Sequence, residues 1–299
     1  MGAPKIGLKQ AFRLTGISRE DRLAFFADGL PLMLASARGF WNAARRLEDS
    51  RREADVLTGL AKEEAAKILI VMDIVRCPPN RVDGRIGEML KWFYSHLARS
   101  LYSEAAGWNA VDLVELRRYI DLDRRTHYLD GPMGEYIFPN SPIHERESRL
   151  YVDVAANEDG ILYWNAPVGT DRLFPLAEPP ALRAVEALSA VGVFSKEGLR
   201  IVTDVWGKVE FVVTEHRTDI GPPQFAESDR LIKSMLRRLI ESGLSQEQAT
   251  SEQVDALYHC WQMPMYGLDF SVIEVPLEQL KAEREASFLA EIGDGSSDY

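Results

Sequence analysis

Apolar positions recur at helical spacing over most of the chain. Over residues 30–47, Leu30, Leu34, Ala37, Phe40, Trp41, Ala44 and Leu47 fall on one face and predict an amphipathic helix. A second helix is predicted over about 53–75, with Leu57, Leu60, Ala61, Ile68, Val71, Met72 and Val75 on its apolar side. Cys77-Pro78-Pro79-Asn80 ends it, because proline lacks the backbone donor a helix needs and disfavours helix at the residue before it. After a loop containing Gly84, the spacing of Ile86, Met89, Leu90, Phe93, Leu97 and Leu101 predicts a third helix over 86–106, stopped by Gly107. Asn109 caps a predicted fourth helix carrying Val111, Val114, Leu116 and Ile120.

The pattern then changes. Residues 149–154 and 161–165 are short runs rich in aromatic and β-branched side chains, separated by Asn157-Glu158-Asp159-Gly160, which predicts a β-hairpin. Pro175, Pro179 and Pro180 crowd the next stretch and place a boundary near Glu178. Beyond it, residues 181–191, 196–213, 228–242 and 251–261 read as helices, with Ser195 and Ser251 as caps, and the small, acidic residues 293–299 read as a frayed tail. The expected fold is mainly α: a helical domain over 1–178 with one small hairpin near 149–165, and a helical C-terminal region over 179–299.

At roughly 150 residues per domain, 299 residues agree with two such units. Forty-six acidic against 35 basic side chains give a formal charge of −11, which argues against retention on nucleic acid or an anionic membrane by bulk charge, though not against a local basic patch. No run approaches the ~18 apolar residues of a membrane span, and Met1-Gly2-Ala3-Pro4-Lys5 is not followed by the apolar region of a signal peptide, so the expectation is a soluble cytoplasmic chain without a membrane partner. Cys77 and Cys260 stand far apart, and neither Glu215-His216 nor His259-Cys260 has a second metal-type pair at ligand spacing; neither metal nor cofactor is expected. A phosphate-binding P-loop, a dinucleotide-type glycine fingerprint and Gly-x-Ser-x-Gly are all missing from the sequence.

Two helices carry residues of chemical interest. On a wheel of ~100° per residue, Glu64 falls among Leu57, Leu60, Ile68, Val71 and Val75, so a carboxylate is expected to face the core, where it demands a partner; Lys67 lies beside the same face. On the third helix, Trp92, His96 and Arg99 share a strip flanking the apolar face, and packing of the second helix on the third would bring His96 to Glu64. Lys91 is ~140° from His96 on one continuous helix, too far to pair with it there. Arg117, Arg118, Arg124, Arg125 and His127 form a basic cluster suited to a solvated helix end, and His144, Arg146 and Arg149 a second, weaker anion-contacting edge.

Three segments in order resemble the bacterial type V abortive-infection proteins, the AbiV-like family: Leu57-Thr58-Gly59-Leu60-Ala61-Lys62-Glu63-Glu64-Ala65-Ala66-Lys67, then Phe93-Tyr94-Ser95-His96-Leu97-Ala98-Arg99, then Arg149-Leu150-Tyr151-Val152-Asp153-Val154 ahead of Trp164-Asn165-Ala166-Pro167. The resemblance covers roughly residues 28 to 170. It implies a HEPN-like helical bundle over 1–178, a role in defence against phage, dimerisation, and metal-independent RNA cleavage by an arginine followed four to six residues later by a histidine. At those distances before His96 stand Met89, Leu90 and Lys91, so only Lys91-x4-His96 approximates the motif, and lysine lacks the bidentate fork of arginine. The implied site has His96 as acid or base at a ribose 2′-hydroxyl, Lys91 or Arg99 at the phosphate and Glu64 orienting His96. Its implied partners are a second copy of the chain, RNA or the translation machinery, and a phage-derived protein as trigger. The alternative is a non-catalytic sensor or regulator of the same fold that binds a protein or a nucleotide. A metal-dependent phosphohydrolase using Glu63, Glu64, His96 and Asp73 ranks last, because Asp73 points away from Glu64 on the wheel.

Overall fold

The computed structural model describes residues 5–47, 49–130, 136–156, 160–167, 169, 176–213, 224–245 and 249–294. In chain order the helices are α1 (Leu8–Ala11), a short 3-10 turn (Phe12–Gly16), α2 (Arg19–Ala44), α3 (Arg51–Arg76), α4 (Pro79–Tyr94), α5 (His96–Ala105), α6 (Leu113–Asp123), α7 (Ser141–Leu150), α8 (Pro180–Ala190), α9 (Lys196–Trp206), α10 (Gln224–Glu241), α11 (Ser251–Cys260) and α12 (Leu277–Asp294). Two antiparallel hairpins interrupt them, β1 (His127–Asp130) with β2 (Tyr136–Pro139), and β3 (Asp153–Ala156) with β4 (Leu162–Asn165). The protein is therefore mainly helical, as the apolar spacing predicts.

α3 is the axis of the molecule. It packs against α2, α4, α5, α7, α8 and α9, and from Ala65 to Arg76 every residue except Lys67 is buried. Small side chains at Ala61, Ala65 and Ala66, all fully buried, let the neighbouring helices approach closely. The core is continuous across residue 178: Leu182, Val185, Leu188, Val202 and Trp206 from α8 and α9 belong to the same apolar cluster as Leu30, Ile68 and Leu101. Within it Asp73 and Arg76 form a buried ion pair. Asp73 Oδ2 accepts from Tyr102 Oη at 2.9 Å and from Met265 N at 2.7 Å, while Arg76 Nη1 donates to the Gln262 carbonyl at 2.8 Å and its guanidinium lies over Trp261 and Trp206. Burial pushes the Asp73 carboxyl up and the Arg76 guanidinium down, and each offsets the cost of the other's charge. This network fastens residues 262–270 to α3 and α5, with Phe270 stacked on Tyr102 at 4.8 Å.

Several boundaries differ from those the spacing predicts. α2 begins at Arg19 rather than near residue 30, because Ser18 caps it by accepting from Asp21 N and Leu23 and Phe26 extend the stripe past the exposed Pro31. α4 starts at Pro79, where proline suits a first turn whose donors have no partners, so the expected loop around Gly84 is helical. The single helix predicted over 86–106 is two: the backbone turns extended at Ser95 (φ −84°, ψ 125°), and the Ser95 hydroxyl caps α5 by accepting from Ala98 N. α6 is capped by Asp112, not Asn109, and Val111 lies outside it. Arg149 and Leu150 close α7 instead of opening a strand, and β1–β2 is a hairpin that alternation did not single out. α9 stops at Trp206, α10 begins at Gln224, and α12 is a further helix. Gly293 and Asp294 end α12; residues 295–299, the rest of the expected frayed tail, lie outside the described residues, as do 157–159 of the hairpin turn, 173–175 of the proline-rich stretch and Glu215-His216. Among the described residues no helix is long and apolar enough to cross a membrane.

Candidate functional site

Glu63 sits on the side of α3 that meets α5 and α7, with 9% of its side chain exposed. Its Oε2 accepts from His96 Nδ1 at 2.9 Å and lies 2.9 Å from Arg99 Nη1; its Oε1 accepts from Arg146 Nε at 2.8 Å. Burial pushes the Glu63 carboxyl up, but the Arg146 hydrogen bond and the charges of Arg99 and His96 outweigh it and hold the group below the usual glutamate value. One buried carboxylate thus gathers one imidazole and two guanidiniums from two other helices.

Local structure explains why these side chains converge. The break at Ser95 puts His96 at the first position of α5 instead of in the middle of a long helix. Arg99, one turn later, folds back over the break: its Nη2 donates to the Tyr94 carbonyl at 3.4 Å at the end of α4, and its Nε adds a second bond, at 3.2 Å, to the Ser95 carbonyl that already accepts from Arg99 N. Burial pushes the Arg99 guanidinium down and the carboxylates of Glu63 and Glu64 push it back up, the net being a lowered value. Arg146 reaches Glu63 from α7, which Asn140 positions by capping it through Ile143 N while its own amide bonds the Arg125 carbonyl at 2.6 Å.

Arg99 Nη2 also approaches His96 Nδ1 to 3.0 Å, and a guanidinium can only donate. A proton on Nδ1 directed at the ionised Glu63 is the charge-assisted arrangement, so we assign it there. Nε2 then carries the free lone pair. The His96 side chain is 52% exposed, and none of its hydrogen bonds among the described residues involves Nε2. A carboxylate fixing the tautomer of an outward-facing imidazole, beside two guanidiniums, is an arrangement able to take a proton from a bound group and to hold an anion next to it.

The sequence-predicted residues are distributed unevenly. His96 and Arg99 are in the cluster, but the carboxylate between them is Glu63 and not Glu64. Glu64 is only partly buried and pairs with Lys67 one turn away, whose ammonium lies over the Phe93 ring. The wheel misassigns the pair because α3 is packed from several sides: Leu57 and Leu60 lie on a half-exposed face, while Ala61, Ala65, Ile68 and Met72 point inward. Lys91 is exposed on the last turn of α4 and makes no contact within the cluster. Arg146, which in sequence is one of several surface cations, is the member that only tertiary structure supplies. Arg124 and Arg125 are bound to Asp121, Asp269 and Glu283, so this part of the basic cluster braces α12 and the 269–273 segment. Asp73 is committed to Arg76 and Tyr102, and among the described residues no three His, Cys, Asp or Glu side chains are placed to hold a metal ion.

No family model matches the chain, and no curated protein or solved structure matches it either.

Proposed function

We propose that the chain is a HEPN-like helical bundle of the AbiV-like kind, a cytoplasmic bacterial anti-phage effector that cleaves RNA without a metal ion. The defence role and the family rest on the resemblance of the three segments. The chemistry rests on one observation: Glu63 holds the half-exposed His96 through Nδ1 and shares its carboxylate with Arg99 and Arg146. His96 Nε2 takes the proton of a ribose 2′-hydroxyl, and O2′ attacks the adjacent phosphorus. The bond from phosphorus to the 5′ oxygen breaks and that oxygen takes a proton from water, which in turn recovers the proton held on His96 Nε2, leaving a 2′,3′-cyclic phosphate, a 5′-hydroxyl and a neutral imidazole. Arg146, the more exposed of the two guanidiniums, offsets the charge that builds on the phosphoryl oxygens. Glu63, rather than Glu64, orients the imidazole. In a homodimer, Lys91 of a second copy would add the cation that its own chain does not bring to His96.

A non-catalytic reading draws on a different feature. The β3–β4 hairpin turns Leu162, Tyr163 and Trp164 to solvent, Trp164 being 75% exposed, and apolar surface of that kind fits a protein partner. Incubation of the purified chain with total RNA in EDTA separates the two. Cleavage that persists in EDTA and is lost in His96→Ala supports the ribonuclease; intact RNA alongside a well-folded protein supports the binding module.

A further inference from the structure

Beside the His96 cluster lies a cavity of about 310 Å³, at the lower end of the range of small-molecule pockets, walled by α3, α5, α7 and the end of α6. Glu63 and Arg146 belong to both. Three features of its wall have no structural explanation among the described residues. Ser103 is 4% exposed, lines the cavity, and its hydroxyl has no hydrogen-bond partner among the described residues, which is unusual for a buried polar group. Asp123, half-buried, has a carboxylate that no cation or donor among the described residues engages, and burial together with the charges of Glu104 and Glu145 pushes it above the usual aspartate value. Gly59 stands in the middle of a 26-residue helix, where glycine costs about 1 kcal/mol relative to alanine, yet a β-carbon there would meet nothing within 4 Å. Close packing of the protein therefore does not call for glycine at this position; it leaves open space against the helix backbone.

The wall mixes signs. Asp123 asks for donors and Ser103 can donate or accept, whereas Arg146 and Arg149 keep N–H groups beyond those they give to Glu63 and Glu145. A simple cation would meet the arginines, and a simple anion would meet Asp123, Glu104 and Glu145. A flat neutral group with a donor edge and an acceptor edge satisfies both. Among nucleobases, guanine alone sets two N–H donors side by side, N1–H and N2–H, where a carboxylate can take both, and it presents O6 and N7 to a guanidinium. Adenine and cytosine place a ring acceptor next to their amino group, which would face the Asp123 oxygens, and uracil flanks its one N–H with two carbonyls.

We propose that this cavity is the base pocket of the ribonuclease site and selects guanine, so that cleavage falls next to guanosine. The inference rests on the ribonuclease reading for the cleavage, though not for the binding. Because Glu63 and Arg146 line both the cavity and the His96 cluster, a guanine seated there keeps its sugar and phosphate at His96.

The test is calorimetric titration of the full chain with guanosine, adenosine and cytidine, followed by sequencing of the RNA ends it produces. Guanosine should bind at least tenfold tighter than the other two. Gly59→Leu, which projects a side chain into the cavity while improving helix propensity, should melt no lower than the unmodified chain and lose guanosine binding at least tenfold. Asp123→Asn should lose it to a similar degree. Equal affinity for the three nucleosides, or guanosine binding unchanged in Gly59→Leu and Asp123→Asn, would overturn the pocket. Guanosine binding without cleavage keeps the pocket and removes the ribonuclease; cleavage at all four nucleotides alike does the reverse.

Discussion

Replacing Glu63 by alanine is the sharpest perturbation of the cluster. It removes the one anion that Arg99, Arg146 and His96 share. These groups are not equally able to recover: the His96 side chain is half exposed and Arg146 can swing to water, but Arg99 is 10% exposed and keeps only the Tyr94 and Ser95 carbonyls. Breaking a buried pair costs about 3–5 kcal/mol, and since one cation of three is stranded here the lower end, about 3 kcal/mol, applies. At roughly 2–4 °C per kcal/mol, the melting temperature should fall by about 6–12 °C. Glu63→Gln should cost about half as much, since its amide oxygen can still serve Arg99 and His96 while its NH2 faces only Arg146, the more exposed of the two guanidiniums. Glu64→Ala removes a partly exposed pair with Lys67 one turn away and should cost under about 1 kcal/mol. The assay is urea unfolding followed by circular dichroism, with thermal melts in parallel. A Glu64→Ala variant as destabilised as Glu63→Ala would refute the placement of Glu63 at the centre of the cluster.

Other outcomes follow from the same structure. Glu63 is held below the ordinary carboxylate value of about 4.5, so its stabilising contribution is complete above that pH and is lost as pH falls through its lower folded value; the gap in urea midpoint between the unmodified chain and Glu63→Gln should be constant from pH 7 to 5 and close toward pH 3, and a gap that widens on acidification would contradict the direction. Asp73→Ala strands Arg76 in the core and should cost about 3–5 kcal/mol, with amide exchange rising in residues 262–270; a loss confined to α3 would show that this segment is not fastened through Asp73. Gly192 has φ +88° and a β-carbon there would lie 2.1 Å from the Leu244 carbonyl oxygen, so Gly192→Ala should cost more than about 2 kcal/mol by thermal melt, and a neutral substitution would refute the close approach of that turn to α10.

How much of this was legible beforehand depends on how many neighbours each residue has. α8 and α11 lie within a residue of the predicted ranges, because the Pro179-Pro180 pair and a polar cap mark where each begins. α3 is surrounded, so a one-stripe wheel picks the wrong glutamate of an adjacent pair: Glu63 and Glu64 differ by ~100°, and only the positions of α5 and α7 say which of them is covered. His96 and Arg99 were visible as residues three apart on a helix flank, which is how they reach one carboxylate. The break at Ser95 was not, because Phe93 and Leu97 keep the apolar rhythm across it; a serine with Arg99 four positions on to bond its carbonyl was the available signal. Arg146 lies 83 residues from Glu63, and nothing local distinguishes it from Arg149 beside it. Hairpin β1–β2 and helix α12 escape for a related reason: none of the described side chains of the hairpin is buried, and over residues 277–286 of α12 only Leu280 is, so neither leaves a strong alternation or stripe.

If His96, fixed by Glu63, opens RNA by an internal attack of the 2′-hydroxyl, as we propose, the ends of the products record that chemistry. RNA of defined sequence cut by the purified chain in EDTA, analysed by mass spectrometry, should carry 2′,3′-cyclic phosphates and 5′-hydroxyls, with cutting absent in His96→Ala and reduced in Glu63→Gln. Products ending in 3′-hydroxyl and 5′-phosphate, or undiminished cutting by His96→Ala, would contradict it.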